Sequence, residues 1–270
     1  MSFPLGEKAK IDATKSLKAL IAHEAGANNG SKPHEMIQLL INTEHPLLKK
    51  KDYIPRIIPI PNRLGKISTT QILLITKDPS TIYREALNQK GSPTEDLIKD
   101  IMPLKKIKKI AGNKKQLINL FQDYDLVLCD HRIQHLLPGI LGEMFFKKNK
   151  KLPFMIQMFQ PTPDDLKLKK QEKIEKCDAE FVKKQIKSIV KNTSYLPNTD
   201  TTISIRLGYT DFKIQELITN LSTIIEFLQN PKFLMSNGGI INKKNQLVGV
   251  MVKTNESVAL PVYKNKRFQE

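Results

Sequence analysis

A chain of 270 residues, 40% hydrophobic and 26% charged, has globular composition and the length of one large domain or two ordinary ones. Its 44 Lys+Arg against 27 Asp+Glu leave a net charge of +17, which favours a polyanionic partner, with nucleic acid ahead of a membrane surface. No apolar run approaches a membrane span, the N-terminus lacks the apolar core of a secretory signal, and two cysteines, Cys129 and Cys177, make no disulfide framework, which points to a reducing compartment.

Residues 7–25 read as an amphipathic helix with Ile11, Leu17, Leu20 and Ile21 as its apolar stripe, ended by Gly26 and Asn28-Asn29-Gly30. Strands follow at 36–43 (MIQLLINT) and 53–60 (YIPRIIPI), and Pro55 and Pro59 put the second at a sheet edge or cut it short. A new unit opens with the buried run 71–75 and a helix over 80–87, the usual start of a parallel α/β layer. A second buried strand, 125–129, comes after a helix at 115–121. Between them, residues 99–115 carry seven lysines against a lone Asp100; these read as a solvated face or a protein contact. The unit closes near 147–151, and 152–158 (LPFMIQM) reads as a strand returning to the first unit.

Residues 164–191 are charged and helical, broken near Cys177-Asp178. From 181 to 209 the chain passes from a lysine-studded helix through two turns into a strand, in which Ile203, Ile205 and Leu207 alternate with Ser204, Arg206 and Gly208. Cationic heads beside turns and hydroxyls suit a grip on a structured polyanion, and the same lysines read equally as a solvated face. A helix at 214–228, a turn at Asn237-Gly238-Gly239 and a last strand at 247–254 complete the order. The simplest arrangement is α/β in class: a discontinuous α+β domain from residues 1–65 and 156–270, with a Rossmann-like α/β domain, 66–155, inserted.

No catalytic centre, metal site or cofactor is expected. Neither buried strand is followed by glycines that would let backbone N–H groups cradle a phosphate. Cys129, Asp130, His131 and His135 form the one cluster that imitates a catalytic site, and they read as a strand end and a surface helix start. His131 and His135 lack a third metal ligand nearby. With no tryptophan and 6% aromatics, contact with folded RNA through backbone and 2′-hydroxyls fits better than base stacking on single strands.

Several stretches resemble the ribosomal protein L1 family: KKQIKSIVKNTSYLPNTDTTISIRLGY at 183–209, the helix at 214–228, DYDLVLCDHRIQHLLPGILGEMF at 123–145, and VKTNESVALPVY at 252–263. The resemblance covers nearly the whole chain. It implies a split α+β domain with an inserted three-layer α/β/α domain, and RNA contact without enzymatic activity. Carried over residue by residue, it implies RNA binding by Lys32 and Gln38 near the first strand, Lys191 and Arg206 around the central turn and strand, and Lys253 and Thr254 on the last strand. Two departures mark the subfamily. Leu141-Gly142 is followed by EMFFKKNKKLP rather than a glycine- and proline-rich loop, and Thr254 is followed by Asn255-Glu256 where ribosomal members have Met-Gly. The chain therefore resembles the eukaryotic ribosome-assembly branch, tied to the small-subunit processome. That implies a nucleolar protein, monomeric within a large ribonucleoprotein, with pre-ribosomal RNA and other pre-ribosome assembly proteins as partners and no membrane. The alternative is a structural protein of the large-subunit L1 stalk. In either case RNA contact by Asn255 and Glu256 is in doubt, since a carboxylate repels phosphate.

Overall fold

The computed structural model describes residues 3–27, 34–50, 52–148, 151–161, 176–197, 199–265 and 267. Lys32, the Asn28-Asn29-Gly30 terminator and most of the charged stretch after 161 lie outside the described residues. In chain order the elements are α1 (Glu7–Ala27), β1 (Met36–Thr43), β2 (Arg56–Ile58), β3 (Ile72–Thr76), α2 (Thr81–Asn88), β4 (Asp100–Pro103), α3 (Leu104–Ala111), α4 (Lys114–Asp123), β5 (Leu126–Asp130), α5 (Leu137–Glu143), β6 (Phe154–Ile156), α6 (Ala179–Lys191), β7 (Thr193–Tyr195), β8 (Thr202–Tyr209), α7 (Ile214–Gln229), β9 (Leu247–Lys253) and β10 (Leu260–Lys264). They fall into two compact units. The first comprises residues 1–52, 56–64 and 191–270, the second 53–55 and 65–190.

In the first unit a four-stranded antiparallel sheet runs β10-β9-β1-β8. Period-two alternation decides its faces. Ile37, Leu39 and Ile41 of β1, Ile203, Ile205 and Leu207 of β8, and Val250 and Val252 of β9 point into one core. Both helices of this unit supply the same core, α1 through Ala9, Ala13, Leu17 and Leu20, and α7 through Leu217, Leu221, Ile224, Ile225 and Leu228. The stripe of α1 thus differs from the sequence reading. Ile11 is 54% exposed, and two small alanines take the inward positions. The opposite sheet face carries Gln38, Leu40, Asn42, Thr202, Ser204, Arg206, Met251 and Lys253, all half-buried or exposed.

A two-stranded ribbon, β2 with β7, completes this unit. Buried Asn220 of α7 ties in the segment that leaves it. Its Nδ2 donates to the carbonyls of Asn62 and Leu207, both at 3.1 Å, and its Oδ1 accepts from the Asn62 N–H at 3.0 Å. An amide buried in the apolar face of a helix is tolerated because its polar atoms are satisfied. Leu64 N–H donates to the Lys191 carbonyl at 3.1 Å, so the departing and returning chain lie side by side.

The second unit is a parallel sheet, β4-β3-β5-β6. Leu73, Ile75, Val127 and Cys129 face the core built with α3, α4 and α5. Ile72, Leu74 and Leu128 alternate to the other face and are equally buried. Both faces are covered, which is why these strands read as unbroken apolar runs.

Two assignments change here. Residues 152–158 do not return to the first unit, because β6 pairs in parallel with β5, Leu128 opposite Phe154. Likewise α6, grouped in the sequence reading with the chain termini, clusters with residues 65–190. Asp178 N–H, just ahead of it, donates to the Met158 carbonyl at 2.8 Å, and the Gln185 side-chain amide clasps the Gln157 backbone, its Nε2 donating to the carbonyl at 2.8 Å and its Oε1 accepting from the N–H at 3.0 Å. Among the described residues no helix is long and apolar enough to cross a membrane.

Candidate nucleic-acid interface

The open face of the first unit's sheet gathers three of the residues singled out in the sequence. Gln38 pairs with Arg206 of β8 on one side and Lys253 of β9 on the other, so the three lie in one row across β9, β1 and β8. At about 4.8 Å between neighbouring strands, the two cations flank the amide over about 10 Å. The amide is held at both ends. Its Nε2 donates to Asn255 Oδ1 at 2.7 Å, and its Oε1 accepts from Ser204 Oγ at 3.1 Å. Two rows further along, past Leu40 and Ser204, Thr202 Oγ1 donates to Asn42 Oδ1 at 3.0 Å. Two guanidinium or ammonium heads with a fixed lattice of amides and hydroxyls between them can neutralise phosphates and bond ribose hydroxyls.

Thr254 behaves differently from the sequence expectation. It is fully buried, and its hydroxyl donates to Glu24 Oε1 at 2.7 Å while accepting from the Ser257 N–H at 3.1 Å. Ser257 Oγ in turn accepts from the Thr254 N–H at 2.8 Å. Thr254 therefore shapes the strand end and is not available to a ligand. Asn255, set aside in the sequence reading, is exposed and joined to Gln38. Lys191 lies off the row, at the point where the chain re-enters the unit. Thr193 stands between it and β8, with its hydroxyl on the Arg206 carbonyl at 2.7 Å.

Sequence reasoning also missed the acidic and aromatic border of this face. Glu24 is nearly buried under Thr254. The Glu35 carboxyl is pushed up from the ordinary glutamate value, first by desolvation, then by the charge of Glu24 and a side-chain hydrogen bond to it, and last by Glu256. Next to Glu35, the His34 ring stacks on Tyr209 with centroids 4.0 Å apart, and its Nδ1 lies 3.2 Å from Asp211 Oδ1. Nothing in the order of residues 34–35, 209–211 and 254–257 announces that they meet, because the pairing of β1 with β8 and β9 brings them together.

The raised Glu35 value has a definite sign. The folded chain binds a proton more tightly than the unfolded one, so this group's contribution falls as pH rises above the ordinary carboxylate range. Glu35→Gln is expected to raise the melting temperature slightly at pH 7.5, with the gain shrinking as pH falls toward 4.5. Paired melts across that range check it, and a difference that grows on acidification contradicts it.

The imitation of a catalytic cluster dissolves in the second unit. Cys129 is fully buried, and burial, followed by the charge of Asp130, pushes its thiol up to about 12. Such a thiol is no nucleophile at neutral pH. Asp130 is also buried, and its carboxylate accepts from Arg132, whose Nη2 also donates to the Tyr83 hydroxyl.

A split antiparallel unit, interrupted in sequence by a parallel α/β unit, is consistent with the ribosomal protein L1-like fold. The sequence model of the ribosomal protein L1p/L10e family matches residues 16–258, and the chain belongs to that family. It is 41% identical to the ribosome biogenesis protein UTP30 of Saccharomyces cerevisiae over 96% of this chain and 91% of that protein. It is 26% identical to a putative ribosome biogenesis protein of Schizosaccharomyces pombe over 75% of this chain and 48% of the relative. A mouse ribosomal L1 domain-containing protein matches at 24% over 76% of this chain and 40% of its own length.

Proposed function

We propose that this chain is a non-catalytic RNA-binding factor of ribosome assembly, acting on structured pre-ribosomal RNA in the early small-subunit pre-ribosome. The observation that carries the RNA contact is the cross-strand row Lys253–Gln38–Arg206 on a sheet face where neither helix of its unit packs. The assembly role draws its support from the 41% identity, over nearly the full length of both chains, to a protein named for ribosome biogenesis. The net charge of +17 suits a partner that is itself a polyanion. In this reading the protein works in the nucleolus as a monomer within a large ribonucleoprotein, beside other assembly proteins. Purification of a tagged chain tests it. Co-isolation of small-subunit precursor RNA is the expected result. Recovery with mature large subunits alone contradicts it and returns the chain to a structural role in the L1 stalk.

A further inference from the structure

We propose that a lysine ridge on α3 and α4 of the second unit is a separate RNA contact, which grips the phosphate backbone of a duplex without reading its sequence. It rests on the RNA-binding reading above and adds a surface in the other unit. In α3, Leu104 and Ile107 turn inward, and Lys105, Lys106, Lys108 and Lys109 are all exposed. Their three- and four-residue spacings set the Cβ atoms in rows about 5–6 Å apart along one exposed side of the helix. Gly112 and Asn113 alone separate α3 from α4, which opens with exposed Lys114 and Lys115.

The placement of Lys114 and Lys115 is unfavourable for the fold. They occupy the first turn of a helix, beside its positive pole, and that turn holds no acidic residue. The helix end itself is satisfied, with Asn113 Oδ1 accepting from the N–H groups of Lys115 at 3.0 Å and Gln116 at 3.4 Å. None of the six lysines has an ion pair among the described residues. Asp78 is engaged at the other end of α3, where its Oδ2 accepts from the Lys105 N–H at 3.3 Å. Six exposed cations in eleven residues, with no ion pair among the described residues, thus create a strong local positive potential, which the negative pole of α3 beside Lys108 and Lys109 offsets only in part.

The ridge also lacks what a protein partner needs. Among the described residues of the second unit, the exposed large apolar side chains are Ile82, Leu136 and Met155, and none belongs to α3 or α4. Stable protein interfaces centre on apolar or aromatic anchors, whereas backbone contact with RNA needs positive charge alone. Lysine, a flexible point charge, suits contact that ignores sequence.

The test uses the full chain, a K106Q/K109Q/K114Q/K115Q variant and, alongside, R206Q/K253Q. The probes are two 20-base-pair RNA duplexes of unrelated sequence, titrated between 50 and 200 mM salt, with circular dichroism to verify folding. The ridge variant is expected to bind both duplexes at least about tenfold more weakly at 50 mM and to flatten the log–log salt slope by about 3, close to one phosphate per lysine. Unchanged affinity and slope in a folded ridge variant overturn the proposal. So does a 20-residue polyglutamate that the wild-type ridge holds as tightly as a duplex, which would make it a docking surface for acidic protein. If R206Q/K253Q alone weakens binding, the ridge fails and the sheet-face reading stands. If the ridge variant alone does, the reverse holds.

Discussion

Gly238→Ala is expected to be the most damaging single-methyl substitution in the first unit. An added Cβ would lie 2.5 Å from the Phe227 carbonyl oxygen and 2.6 Å from Phe233 Cβ, so backbone itself would have to move. That carbonyl accepts from the Gly239 N–H at 2.9 Å, and Gly238 N–H donates to the Phe233 carbonyl at 2.8 Å. The same turn presents Asn237 in the left-handed region, its Oδ1 taken by Arg56 and its carbonyl by the Tyr195 hydroxyl. Overpacking by about 1–3 kcal/mol, plus about 1 kcal/mol for a broken hydrogen bond, gives a loss of about 2–4 kcal/mol. For a chain of this size that lowers the melting temperature by roughly 5–15 °C. Gly26→Ala, where nothing lies within 4 Å of the new Cβ, serves as the control and is expected to be neutral or mildly stabilising. A Gly238→Ala melt within a degree or two of wild type would mean that this turn yields far more easily than its contacts indicate.

The second large effect concerns binding. Arg206→Gln with Lys253→Gln removes both cations of the row and leaves Gln38 with its two hydrogen bonds. Each lost phosphate contact flattens the log–log salt slope by about 0.7–0.9, so the pair should flatten it by about 1.5. Affinity for a structured pre-ribosomal RNA fragment should fall on the order of 10- to 100-fold at low salt, across sequences rather than at one. Both side chains stand on the open face, so the melting temperature should hardly change. Unchanged binding in the double variant would remove this face from the RNA contact.

The parts of this structure visible in the sequence are those governed by a local period. Residues 36–43 and 202–209 match β1 and β8 because each alternates buried and open positions, and α7 was clear from its repeating apolar face. Three short strands escaped. β10 contains Pro261 and buries only Val262, β4 is four residues ending in Pro103, and β7 is three residues at a turn. β4 and β7 are placed by partners distant in sequence, β3 and β2, and so is β6 by β5, whereas β10 pairs with neighbouring β9 through a register broken between Pro261 and Tyr263. The candidate site divides in the same way. Gln38, Arg206 and Lys253 are polar positions on alternating strands, but the register that aligns them is not written in any one strand. Thr254 and Asn255 exchanged roles because a hydroxyl and an amide side by side look alike in sequence until Glu24, from α1, claims one of them.

The central claim is that structured RNA lies on the open sheet face of the first unit. Ultraviolet crosslinking of the chain within purified pre-ribosomal particles, read by mass spectrometry of nucleotide-bearing peptides, tests it most directly. The account predicts crosslinked peptides from β1, β8 and the β9 strand end, with Gln38, Arg206, Lys253 or Asn255 among the modified positions. Crosslinks confined to α1, α7 or the second unit, with none on those three strands, would contradict it.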